Sequence, residues 1–139
     1  MLKIEQIAAL RRFVGPGQMS AIIHVMRGEE GAFFREKITE CADRFAAMPK
    51  TYEQDGLGDD AIASLHYFRG NMDWYITERD VETPDEPGQH RAFGLANLGY
   101  GGELGYINIF ELIQNGVELD LYFTPCTLGS VRSDREVQS

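Results

Sequence analysis

Between Phe93 and Val131 the chain has no lysine and no arginine, and its 139 residues carry only 13 of these against 22 aspartates and glutamates. The resulting net charge of −9, with histidine neutral, excludes a general phosphate-binding surface. Nucleic acid repels such a chain unless a local basic stripe overrides the rest, so direct contact with nucleic acid is not expected. Two cysteines, Cys41 and Cys126, are too few for a disulfide framework. Neither has a histidine or second cysteine within four residues, and the three histidines are scattered, so no metal site is expected. No run approaches the roughly 18 apolar residues of a membrane span. Arg11 and Arg12 follow the first apolar residues instead of preceding them, unlike a signal peptide. A cytoplasmic location with reduced thiols is the expectation, and the membrane is not an expected partner. A phosphate loop is missing, and the GYGGELG run from Gly99 lacks the strand–helix setting of a dinucleotide turn, so no cofactor is expected.

What is present is the material of one folded domain: 43% hydrophobic and 11% aromatic residues. A chain of this length buries roughly two-thirds of its unfolded surface without needing staples. Ile4, Ile7, Leu10 and Val14 form a helical stripe that Gly15-Pro16-Gly17 stops, so residues 1–18 read as a helical appendage. Residues 21–26 fit either helix or strand. Phe34, Ile38, Cys41, Phe45 and Met48 recur at helical spacing up to Pro49, with Glu29 and Glu30 near the positive end. After a loop over 49–60 the pattern changes to strands. Gly70-Asn71 between two apolar runs signals a hairpin, with Trp74 and Ile76 on one face and Tyr75 on the other. Residues 80–90 read as a loop, 92–98 and 104–107 as strands, and Asn108 as the cap of a short helix. A last strand over 119–123 and a polar tail from 132 complete the chain. Helices first and strands afterwards predict an α+β fold: an antiparallel sheet of four or five strands on N-terminal helices, with one short helix before the last strand. Its single domain is expected to span 19–131.

Charge is unevenly spread. Residues 1–50 hold eight lysines and arginines against six acids, whereas residues 51–131 hold fourteen acids against Arg69, Arg79 and Arg91. The strand-rich part is therefore expected to project a negative field that can steer a basic partner. Charge alone is equally the mark of a soluble protein. Candidate charge-presenting residues are Asp59, Asp60, Glu78, Asp80, Glu82, Asp85 and Glu86, with Trp74 and Tyr75 as aromatic anchors, although core packing is the nearer explanation for Trp74. For catalysis the candidates are few: His66 as a base with Glu78, Glu118 or Asp120 as its acid. Ser64 and His66 share a strand face without the third group of a triad. Cys41 lies on the apolar stripe as a packed thiol.

The segments PKTYEQDGLGDDAI (49–62), DWYITE (73–78), GYGGELGYI (99–107) and ELDLYFTPCTL (118–128) occur in order. Through them the chain resembles, over residues 30–130, a bacterial family of unknown function. That family is carried by conjugative plasmids, integrative elements and phages, and recurs as a module of the polyvalent proteins such elements inject. No catalytic residue carries over from it. The resemblance implies a mobile-element setting, in which small acidic proteins bind host defence machinery. The leading expectation is a non-enzymatic anti-defence protein, an inhibitor of a CRISPR or restriction effector. Its partner would be a host defence protein or ribonucleoprotein complex with a basic surface. The alternatives are a small enzyme or ligand-binding protein with an unrecognised pocket, and an accessory protein-binding module in plasmid transfer or replication.

Overall fold

The computed structural model describes residues 3–29, 31–99 and 101–138, the last five of these by their helical backbone alone. Three helices come first: α1 (Ile4–Phe13), α2 (Pro16–Met26) and α3 (Gly31–Ala47). A 3-10 turn at Gly58–Asp60 leads into β1 (Ile62–Ala63), β2 (Leu65–Arg69), β3 (Met72–Glu78), β4 (Ala92–Asn97) and β5 (Gly102–Ile107). Then follow α4 (Ile109–Gln114), β6 (Glu118–Leu119), β7 (Cys126–Thr127) and α5 (Leu128–Gln138). The fold is α+β. Its main sheet has five antiparallel strands in the order β5-β4-β3-β2-β6, with the short helix α4 ahead of β6; β1 and β7 pair as a separate two-stranded sheet.

Local chemistry accounts for the central hairpin. Arg69 pairs with Met72, so Gly70 and Asn71 form a two-residue turn in which Gly70 alone takes positive φ, at 58°. β3 and β4 approach so closely at Gly94 that a Cβ there would lie 2.0 Å from the Tyr75 carbonyl oxygen. One face of the sheet, with Leu65, Tyr67, Trp74 and Ile76, packs on Leu10, Phe13, Ile38 and Phe45 from the helices. Phe13 and Phe45 stack at 4.3 Å, and the buried Tyr67 hydroxyl donates to the Phe13 carbonyl at 2.5 Å. The other face carries a smaller core in which Leu95 meets Ala61, Ala63, Leu128 and Val131, with Tyr75 and Phe123 against it.

Three boundaries differ from the sequence expectation. Residues 3–18 pack into the main core instead of standing apart from it, because Leu10, Phe13 and Val14 are buried there; Met1 and Leu2 lie outside the described residues. Gly15-Pro16-Gly17 ends α1 yet also starts α2, since proline at a helix's first positions has no N–H to lose. The ambiguous run 21–26 belongs to that helix. The expected strand over 119–123 stops at Leu119: Asp120 Oδ1 accepts from Tyr122 N at 3.0 Å, and this local turn takes the backbone out of the ladder. The polar tail continues α5 to Gln138. Among the described residues no helix is long and apolar enough to cross a membrane.

Candidate functional site

The acids expected to form one charged face are put to different uses. Asp80 Oδ2 accepts from Arg91 N at 3.1 Å and Oδ1 from Glu82 N at 3.3 Å. Glu82 Oε1 accepts from Gly88 N at 2.6 Å and lies 3.4 Å from Arg12 Nε; Oε2 accepts from Gln89 Nε2 at 2.7 Å. These carboxylates hold the 80–90 loop together and are half-buried, so they offer little charge to a partner. Asp59 lies 2.9 Å from Arg132 Nε, a charge contact and not a directed hydrogen bond. Asp60, Asp85 and Glu86 are exposed. Trp74, at 7% exposure, is a core residue and no surface anchor. Tyr75 is half-buried, its ring stacked on His66 at 4.5 Å.

Glu78 is the largest departure. It is 3% exposed, and therefore belongs to no charged surface. β3 pairs Trp74 with Ala96 and Ile76 with Gly94, so regular alternation would set Glu78 beside Ala92 and aim it into the helical core. A bulge between Ile76 and Glu78 pairs it with Phe93 instead. The extra residue re-aims the side chain to the opposite face, a common use of bulges beside binding sites. There Thr77, Glu78 and Phe93 line a cavity of about 330 Å³, closed on its other sides by Leu104, Leu128, Ala61 and the loop 51–58. Thr77 Oγ1 lies 3.2 Å from Glu78 Oε2 and 3.2 Å from the Phe93 carbonyl oxygen. One hydroxyl proton serves both acceptors.

The loop over the cavity is pinned by Gln54. Its Oε1 accepts from Ile62 N at 2.8 Å, and its Nε2 donates to the Ile62 and Thr77 carbonyls at 3.0 and 2.7 Å. Thr51 Oγ1 bonds the carbonyls of Arg79 and Arg91 at 3.1 and 2.9 Å. Tyr52 stands at the mouth with φ at +79°, a left-handed conformation that costs a non-glycine residue roughly 1–3 kcal/mol. Its hydroxyl meets that of Tyr106 on β5, and this hydrogen bond holds the Tyr106 phenol above its ordinary range. Tyr52 and Leu104, 67% and 45% exposed, border one opening, and Tyr106, 59% exposed, meets Tyr52 through its hydroxyl. Asp55 lines the opening with its carboxylate exposed, and its loop neighbours Glu53 and Asp60 are exposed too, whereas Glu103 pairs with Ala96 and lies on the opposite face of the sheet.

Of the catalytic candidates, two come together. His66 Nε2 lies 2.7 Å from Asp73 Oδ1 and His66 Nδ1 lies 3.1 Å from Asp120 Oδ2. A neutral imidazole has one N–H, so its tautomer decides which of the two carboxylates it donates to. Both nitrogens are engaged, which leaves neither for a substrate in this arrangement. Glu118 is exposed on β6 opposite Phe68, and Glu78 lies beyond Tyr75 on β3, in the cavity. Burial raises the Cys41 thiol, whose Sγ lies 3.7 Å from the Leu121 carbonyl oxygen.

Sequence reasoning missed the cavity, Gln54, Tyr52 and Tyr106. One signal was available: Trp74, Ile76 and Glu78 alternate on one strand face, so a carboxylate stood where the core should be. Such a local conflict marks a functional or irregular position. No protein-family model, curated protein or solved structure matches this chain.

Proposed function

We propose that this chain is a non-enzymatic binding protein of a mobile element, which docks on the basic surface of a host CRISPR or restriction effector in the cytoplasm. The docking face is the mouth formed by Tyr52, Leu104 and Tyr106 with the carboxylates of the adjoining loop, Glu53, Asp55 and Asp60. One observation carries it: the exposed Tyr52 and Leu104 border one opening, Tyr106 is hydrogen-bonded to Tyr52, and the adjoining loop exposes the acids Glu53, Asp55 and Asp60. An apolar centre with a charged rim is the common anatomy of a protein interface. Aromatic residues supply its binding energy. The neighbouring β5 is an edge strand of the sheet, open to backbone pairing by a partner. The identity of the partner rests on the resemblance of the four ordered segments to mobile-element proteins, and on the fit of carboxylates to side chains that otherwise hold phosphates.

The test is capture of partners from a host carrying defence systems, followed by inhibition of the captured effector in vitro. Replacing Glu53, Asp55 and Asp60 together by lysine should abolish inhibition and flatten its salt dependence. Lysine at Asp85 and Glu86 should leave both unchanged. Equal inhibition by the first variant and the parent would overturn this docking face. Recovery of the element's own transfer or replication proteins alone would favour the accessory-module reading.

A further inference from the structure

The cavity behind that mouth has a chemistry of its own, independent of any macromolecule docked outside it. Its carboxylate is 3% exposed and shares a single hydroxyl proton with a backbone carbonyl. An ionised carboxylate removed from water is costly unless a cation or several donors replace the lost hydration. Among the described residues Glu78 makes no ion pair, and no lysine or arginine lines the cavity. The walls are apolar: Phe93, Leu104, Leu128 and Ala61. Asp55 adds a second, exposed carboxylate to the lining. The volume, about 330 Å³, lies at the small end of the range for organic ligands.

We infer that this cavity is a binding site for an organic cation, an ammonium or guanidinium head on a short apolar stem, with Glu78 as the counter-ion. The head replaces the missing charge partner of Glu78, and the stem fills the space between Phe93, Leu104 and Leu128. Aromatic rings at Phe93 and Tyr52 favour a cation further through their faces. The bulge explains why Glu78 is available for this purpose, since regular pairing would have sent it toward the helices. The same head group occurs on free amines and on arginine side chains of proteins.

Agmatine supplies a guanidinium on a four-carbon stem, and n-pentanol is a neutral comparator of similar girth. Calorimetric titration of the whole chain should show agmatine binding at least about tenfold more tightly than the alcohol, as expected for one charge-assisted contact. Glu78→Gln, which preserves shape, should lose that preference; its folding is checked by circular dichroism. The comparison of two ligands on the unaltered chain stands even if the variant does not fold. Agmatine binding no better than pentanol, or equally well to a folded Glu78→Gln chain, would overturn the inference. A short arginine-containing peptide then distinguishes sources. Tighter binding than agmatine points to a protein side chain, weaker binding to a free amine, and both outcomes support the site.

Discussion

Segments 50–60 and 80–90 are both acidic loops that flank the C-terminal end of β3, and each is fastened by one glutamine. Gln54 ties its loop to Ile62 and Thr77; Gln89 accepts from Asp80 N at 2.7 Å and donates to the Asp80 carbonyl at 3.0 Å and to Glu82. The difference lies in what the acids do. In 80–90, Asp80 and Glu82 turn inward and accept backbone N–H groups, with Arg12 alongside. In 50–60, Glu53, Asp55 and Asp60 face water while Gln54 does the fastening. Counting carboxylates along a sequence therefore overstates the external field of one loop and describes the other fairly. A carboxylate that accepts backbone donors has become part of the scaffold.

The comparison breaks most visibly at the glutamines. Gln89 is fully buried, so Gln89→Ala strands its backbone partners and leaves a void. A loss of about 3 kcal/mol is expected from the urea midpoint. Gln54 is half-buried over an open cavity, and Gln54→Ala should cost about half as much, because water can reach the released groups. Equal losses would mean that the two loops are fastened alike.

A smaller effect separates the acids themselves. Glu82→Gln keeps the shape, but its amide sets a donor against Gly88 N or Gln89 Nε2, and the contact with Arg12 loses its charge. About 1–2 kcal/mol of stability should go. Asp60→Asn, at an exposed site, should shift stability by no more than about 0.5 kcal/mol. If Asp60→Asn proved as damaging as Glu82→Gln, the division between scaffold acids and surface acids would fail.

That division also explains which features could be read in advance. The α3 stripe, the Gly70-Asn71 turn and the Asn108 cap are local: the residues that decide them lie within a turn or two of one another. Asn108 Oδ1 does accept from Glu111 N, at 3.0 Å. Gly15-Pro16-Gly17 is also local, but a helix stop and a helix start look alike there, so the burial of Leu10 and Phe13 was hidden. The inward turn of Glu82 is held by Gly88 N and Gln89 Nε2 in an irregular loop that no spacing rule describes, and Arg12, which joins them, stands seventy residues earlier. Glu78 depends on one extra residue in a strand, which reverses the face of everything after it. Of the three acids offered as partners of His66, only Asp120 lies beside it, and Asp73, across the hairpin, was not among them.

The smallest effect concerns how loop 50–60 rests on β5. The Tyr106 phenol is held above its ordinary 10.0 first of all by its hydrogen bond to the Tyr52 hydroxyl, a raise that fits Tyr106 as the donor. A donor that loses its acceptor gives up its proton more easily, so Tyr52→Phe should bring the Tyr106 titration down toward 10.0, as read from phenolate absorbance. Tyr106→Phe should delete that component altogether. The sign follows for stability as well: a folded value raised above the unfolded one favours the folded chain below the unfolded value, and the advantage disappears as the pH climbs through the raised one. Because both rings are largely exposed, thermal stability at neutral pH should barely change. An unaltered Tyr106 titration in Tyr52→Phe would mean that the loop does not lie against β5 in solution. The cavity would then lack its mouth, and the contrast with the internally bonded 80–90 loop would be one of attachment as well as of charge.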